Sequence, residues 1–211
     1  MNAPSKTCLL PGSPKNLERV LLVGNSHANA IKEAVVKALP TKSVYLINEN
    51  NAVSLQNLET FKKAILKLQP KTIIMHSRAG NNSKNVIEPF IEFAKEQMIR
   101  VVIIEPVPIP GFDVPSKALS LLGDDKSIDA LADRNFRIET YNSSNKNELG
   151  FLSQLESAKK IIRVPVADLF CNPYCQIVDL ESLKPLYFDS GHVTKTGASK
   201  LIPRIKSALG E

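Results

Sequence analysis

Apolar residues along the chain fall into short compact runs that alternate with longer segments of helical spacing. Arg19–Gly24, Ser43–Asn48, Thr72–His76, 100–105 and 161–166 are each dominated by Val, Ile and Leu. Such runs, with no polar alternation, fit strands buried on both faces. Between them, 28–39, 57–68 and 86–98 carry apolar residues three and four apart, the mark of a helix with one buried stripe. Pro40 and Pro70 close the first two helices, and Pro89 is tolerable in the first turn of the third. A last helix is expected over 195–209, bent at Pro203.

Two stretches break the alternation. Pro106, Pro108, Pro110 and Pro115 predict that 106–127 is a long loop after the fourth strand. Active-site loops of doubly wound folds gather at that end of the sheet. A second excursion, 165–188, precedes the last helix. Segment 129–160 reads as helix in two pieces, broken near 141–145. Residues 1–18 are rich in Pro, Ser, Asn and Lys without periodicity and read as a leader or linker, which leaves 19–211 as one domain. The alternation predicts an α/β fold: a three-layer α/β/α, flavodoxin-like domain around a mainly parallel sheet of five strands.

Composition narrows the function. The net charge is +6, but the Lys and Arg residues are scattered and aromatic residues make up only 6% of the chain. That pattern gives neither a stacking platform nor a basic recognition helix, so nucleic acid is not expected as a partner. A positively charged solvated surface is the plain reading; weak attraction to anionic glycans is the best functional use of it. No apolar run is long enough to span a bilayer, and the first eighteen residues lack a signal-peptide core, so the chain as given is expected to be soluble. Of three cysteines, Cys171 and Cys175 flank the turn Asn172-Pro173-Tyr174. They are either disulfide-bonded or two free thiols; no second ligand pair has zinc-site spacing. Cys8 is left over. No metal and no cofactor are expected.

Two constellations carry chemistry. In Gly24-Asn25-Ser26-His27, Ser26 follows a buried strand and opens a helix. There its hydroxyl lies at the C-terminal edge of the sheet, and its own N–H can brace an oxyanion with help from the helix N-terminus. The plain alternative is that Ser26 is an N-cap. In Asp189-Ser190-Gly191-His192, a tight turn lets the carboxylate meet one imidazole nitrogen and leave the other as a base. The alternative is a capping Asp189 with an exposed His192. His27 is expected to pack locally in the first helical turn, and His76 to make a structural hydrogen bond.

A serine early in the domain and Asp-x-x-His before the last helix form the layout of the SGNH hydrolase superfamily. More closely, the chain resembles the SGNH domains attached to membrane acyltransferase-3 proteins that O-acetylate bacterial surface polysaccharides. The resemblance rests on 19–28, 101–108, 168–171 with Cys175, and 185–192 followed by Thr196-Gly197-Ala198. Three departures stand out. Asn25 replaces the family's usual Asp. The stretch after the second strand, Asn48-Glu49-Asn50-Asn51, has no Gly. The block after the third strand reads His76-Ser77-Arg78-Ala79-Gly80-Asn81-Asn82.

The resemblance implies two-step acyl transfer with Ser26 as nucleophile, His192 as base and Asp189 as its partner. Ser26 N–H and Arg78 are the favoured oxyanion donors, with Asn81, Asn82 and Asn50 as further candidates. It also implies a polysaccharide acceptor, a membrane acyltransferase domain as donor, and an extracytoplasmic site tethered through a parent protein. That setting favours the Cys171–Cys175 disulfide. Two rivals stay open: a freestanding carbohydrate O-acetylesterase, and a non-catalytic glycan-binding module on the same scaffold.

Overall fold

Each apolar run becomes a strand of one sheet. The computed structural model describes residues 7–15, 17–48, 58–81, 84–123 and 132–211. Its strands are β1 (Cys8–Leu9), β2 (Arg19–Gly24), β3 (Ser43–Asn48), β4 (Thr72–His76), β5 (Arg100–Ile104), β6 (Ala132–Arg137), β7 (Ile162–Val164) and β8 (Tyr174–Gln176). The main sheet has the order β1-β3-β2-β4-β5-β7. The five expected strands run parallel to one another. A sixth, β1, pairs antiparallel with β3 at the edge. Those two residues lie within the segment read as a leader, and their pairing attaches it to the domain.

The helices are α1 (Ser26–Ala38), α2 (Leu58–Leu68), α3 (Lys84–Glu96), α4 (Val114–Gly123), α5 (Ile138–Ser144), α6 (Lys146–Ser157), α7 (Lys195–Ser199) and α8 (Ile202–Leu209). Side chains alternate across a strand, and here the alternation sorts the core by parity. Val20, Leu22, Val44, Leu46, Ile74, Val102 and Ile104 pack with α1, α4, α7 and α8. Leu21, Val23, Ile47, Ile73, Met75, Val101 and Ile103 pack with α2, α3 and α6. Both faces are therefore apolar, which is why the strands read as unbroken runs. Burying each such side chain contributes about 1.5–3 kcal/mol.

Four expectations are corrected in detail. Part of the Pro-rich stretch is α4: Pro115 falls in its first turn, where a missing N–H costs nothing, and Asp113 Oδ1 accepts from Ser116 N at 3.0 Å. Residues 132–137, expected within a helix, form β6 and pair antiparallel with β8. The Cys171–Cys175 turn presents β8 to them, and Ile138 N donates to Pro173 O at 2.9 Å. The break after α5 does fall at Asn145, inside the expected window. Pro203 does not bend one helix; it sits in the first turn of α8, after α7 has ended. Finally, α3 starts at Lys84, so Pro89 lies past its first turn.

Candidate active site

Ser26 is placed by a close approach of two strands. β2 ends at Gly24, where a Cβ would sit 1.8 Å from the His76 carbonyl oxygen and 2.7 Å from Ala28 Cβ. Only glycine fits there. Asn25 then takes an extended conformation and caps α1, its side chain accepting from His27 N at 3.0 Å. Capping is thus done by Asn25, and the exposed hydroxyl of Ser26 is left for another partner. The same contact explains how Asn replaces Asp here: the cap needs the side-chain oxygen, not its charge.

The partner comes from the far end of the chain. Tyr187, fully buried, anchors the loop before α7 and packs against Phe170 and Phe136. Tyr187 and Val193 form an antiparallel bridge, and Phe188 N donates to His192 O at 3.0 Å. Thr194 closes the loop. Its hydroxyl donates to Pro185 O at 2.7 Å and accepts from Gly197 N at 3.1 Å as the cap of α7. Gly197 has no room for a side chain, since a Cβ would lie 2.2 Å from Leu186 O.

Within this loop Asp189 Oδ1 accepts from the backbone of Gly191 at 2.8 Å and of His192 at 2.7 Å. Asp189 Oδ2 lies 2.7 Å from His192 Nδ1, and His192 Nε2 lies 2.7 Å from Ser26 Oγ. An ionised carboxylate only accepts, so Nδ1 carries the proton and Nε2 accepts from the serine hydroxyl. Burial pushes the Asp189 carboxyl up, but the backbone donors of His192 and Gly191 and the His192 ring outweigh it. The carboxyl is held below its ordinary range. It is therefore ionised where an imidazolium would need it.

The His192 ring is flanked on both sides. His27 lies 4.5 Å away at 34°, and Phe188 stacks at 5.3 Å and 18°. His27 is buried and its pKa is pushed down to about 3, first by that burial, then by His76, His192 and Arg78, with Asp189 opposing. It is a neutral ring beside His192. His76, also buried and pushed down to about 4, places Nδ1 3.2 Å from Ile104 O. Its Nε2 has no hydrogen-bond partner among the described residues. The Pro-rich loop meets the same place: Gly111 N donates to Ser190 O at 3.4 Å.

Thus Ser26, Asp189 and His192 converge at the C-terminal edge of the sheet. The oxyanion candidates are less gathered. Ser26 N–H is one of the first-turn donors of α1 that an isolated helix leaves unpaired. Arg78 is exposed, two residues beyond β4, close enough for its charge to act on His27. Asn81 is exposed and donates its N–H to Arg78 O at 3.2 Å. Asn50 and Asn82 lie outside the described residues. Cys171 and Cys175 are disulfide-bonded and buried with Phe170 and Tyr187, while Cys8 stays apart on β1. The two rings flanking His192 were not singled out as functional by sequence. Their signals are a histidine directly after the serine and an aromatic directly before the aspartate.

Comparison with known proteins agrees with this architecture. The family model described as "SGNH domain (fused to AT3 domains)" matches residues 1–207. The periplasmic domain of a lipopolysaccharide acetyltransferase from Salmonella ser. Paratyphi A is similar with a TM-score of 0.69 and 17% identity. That match covers 93% of this chain and 85% of the other. The C-terminal catalytic domain of peptidoglycan O-acetyltransferase A from Streptococcus pneumoniae aligns at TM-score 0.51 and 15% identity, covering 92% and 93%. A putative acylhydrolase from Bacteroides fragilis aligns at 0.51 and 20%, covering 95% and 90%. No curated protein sequence matches the chain.

Proposed function

The chain belongs to the family of SGNH domains found fused to AT3 domains, and from that premise we propose that it O-acetylates a bacterial surface polysaccharide through Ser26. The observation that carries this reading is the unbroken hydrogen-bonded path from Ser26 Oγ through His192 to Asp189. His192 Nε2 takes the Ser26 proton as Oγ attacks the acyl carbonyl of the donor. The Ser26 N–H, with Arg78 or Asn81, braces the oxyanion. Collapse breaks the bond to the donor's leaving group, which takes the proton from His192 and departs.

In the second half, His192 removes the proton of a sugar hydroxyl, and that oxygen attacks the acetyl-serine. Collapse forms the sugar ester and returns the proton to Ser26. Asp189 stays ionised and stabilises the imidazolium in both halves. The donor is a membrane acyltransferase domain of the parent protein, which sets the reaction outside the cytoplasm. The similar lipopolysaccharide and peptidoglycan acetyltransferase domains support that setting. No described helix is itself long and apolar enough to cross a membrane.

The test uses p-nitrophenyl acetate as donor and a purified surface polysaccharide as acceptor. Ser26→Ala is expected to lower acetyl transfer about 10⁴-fold. Acetyl groups should appear on the sugar. If they pass only to water whatever the acceptor, the protein is an esterase; if Ser26→Ala keeps wild-type rates, Ser26 is not the nucleophile.

A further inference from the structure

Beside the triad, on the other side of Phe188, runs a groove of about 400 Å³ between α1 and the α7–α8 pair. Phe188 lines it and also stacks on His192, whereas neither Ser26 nor His192 is part of its lining. The ring is thus shared by the reacting histidine and the groove. It is 55% exposed, a large aromatic surface left open next to a candidate reaction centre. We propose that this groove is the acceptor subsite and that it takes an acidic sugar unit of the polysaccharide; the proposal rests on the acyl-transfer reading above.

The lining matches the two faces of such a sugar. Its base is small and apolar: Ala30 and Ala34 from α1, Ala198 and Ile202 from α7 and α8. A sugar ring packs its C–H face on apolar and aromatic surface of this kind, and 400 Å³ lies within the roughly 300–1,000 Å³ of small-ligand sites. Its rim carries three ammonium groups, Lys32, Lys37 and Lys195, against one carboxylate, Glu33. Glu33 is bound to Lys195 at 2.9 Å, which holds its carboxyl ionised. That pair is solvent-exposed, and exposed pairs contribute under about 1 kcal/mol, so Lys195 can turn to a ligand carboxylate. Lys32 donates to the neutral Asn29 Oδ1 at 2.9 Å, and the charges of Lys32 and Lys37 both act on the single carboxylate of Glu33. The rim thus has a positive excess facing a ligand's carboxylate.

Lys32, Glu33 and Lys37 border a second hollow of about 490 Å³ that ends at Leu10, Pro11 and Gly12. From Asn29 to Lys37 the helix advances about 12 Å, a track longer than one sugar ring. One unit held against the outer face of Phe188 would present its neighbour to Ser26 around the ring. Such a track suits a polymer acceptor better than a free monosaccharide.

The decisive experiment is a titration of the ¹⁵N-labelled protein with trigalacturonic acid, with maltotriose as the neutral control. Shifts are expected at Ala34, Lys37, Phe188, Ala198 and Ile202, and added salt should weaken them. Lys32→Glu combined with Lys37→Glu should weaken binding at least tenfold with an unchanged melting temperature. Shifts confined to another face, no shifts at all, or equal binding of maltotriose would overturn the proposal. Lys32→Gln with Lys37→Gln removes the charge without reversing it, and a loss of binding there guards against a folding defect of the double Glu variant. No acyl step enters this readout, so its failure leaves the assignment of Ser26 standing, and failure of Ser26 to react leaves this binding measurable.

Discussion

The two faces of the central sheet are made by the same strands and carry different tasks. On the odd-numbered face, Leu21, Ile73 and Ile103 meet α2, α3 and α6 in a plain apolar layer that includes Phe61 edge-on to Phe90 at 4.6 Å. On the even-numbered face, Leu22, Ile74 and Ile104 meet α1, α7 and α8, together with the disulfide and the aromatic anchor Tyr187. Ser26, His27 and His192 belong to elements of this second face only. One layer supports the sheet, while the other aims side chains over its edge. Substitutions on the two faces should therefore separate stability from chemistry.

The largest contrast is between His192→Ala and Phe90→Ala. His192→Ala should lower acyl transfer about 10⁴-fold while the melting temperature hardly moves. Phe90→Ala should cost about 3–5 kcal/mol of stability by opening a cavity, with the turnover of the protein that remains folded unchanged. Denaturant titration and ester hydrolysis on both variants check it. A loss of turnover in folded Phe90→Ala protein would break the division between the faces.

Next in size is the response to acid. His27 and His76 are buried on the α1 side, with pKa values of about 3 and 4 in the fold against about 6.5 in the unfolded chain. The unfolded state then binds more protons below pH 6.5, so stability falls as pH falls. The loss should be about 2 kcal/mol per histidine between pH 7 and pH 5. The Asp189 carboxyl, held low, adds its own loss only further down, below its unfolded pKa of about 3.9. Urea midpoints at pH 7 and pH 5 measure the slope, and His27→Phe should remove about half of it. A midpoint that does not move with pH would contradict the burial of both rings in neutral form.

The smallest effect belongs to the disulfide. Cys171 and Cys175 are four residues apart, so the chain entropy their bond removes is small, worth about 2 kcal/mol. Reductant should lower the melting temperature by several degrees and leave ester hydrolysis at room temperature nearly intact. The loop bearing Asp189 and His192 is tied separately, by Thr194 to Pro185 and by Tyr187 to the core.

Those ties also explain what the sequence revealed. β3 and β4 were readable to the residue because strands buried on both faces leave an unbroken apolar run. Ser26, Asp189 and His192 were readable because each lies in a short local motif, although their meeting is a tertiary event. β6 and β8 were not readable, since their pairing is set by the turn at Cys171–Cys175, some forty residues from β6 in the chain. β1 was hidden because two residues carry no period. Asn25 as the true cap, and Phe188 as a wall shared by the His192 ring and the groove, follow from packing that no spacing rule encodes. The groove itself joins α1 to α7 and α8 across almost the whole chain.

The central claim is that His192 and Asp189 activate Ser26, and covalent labelling tests it most directly. An activated serine oxygen attacks the phosphorus of a fluorophosphonate probe, its proton passing to the base, and fluoride leaves to solvent, so that a stable phosphonyl-serine adduct remains. Peptide mass spectrometry should find that adduct on Ser26 and on no other serine, with labelling about 10⁴-fold slower in His192→Ala. An unlabelled Ser26 in folded protein, or a label on Ser77 or Ser190 instead, would contradict the account.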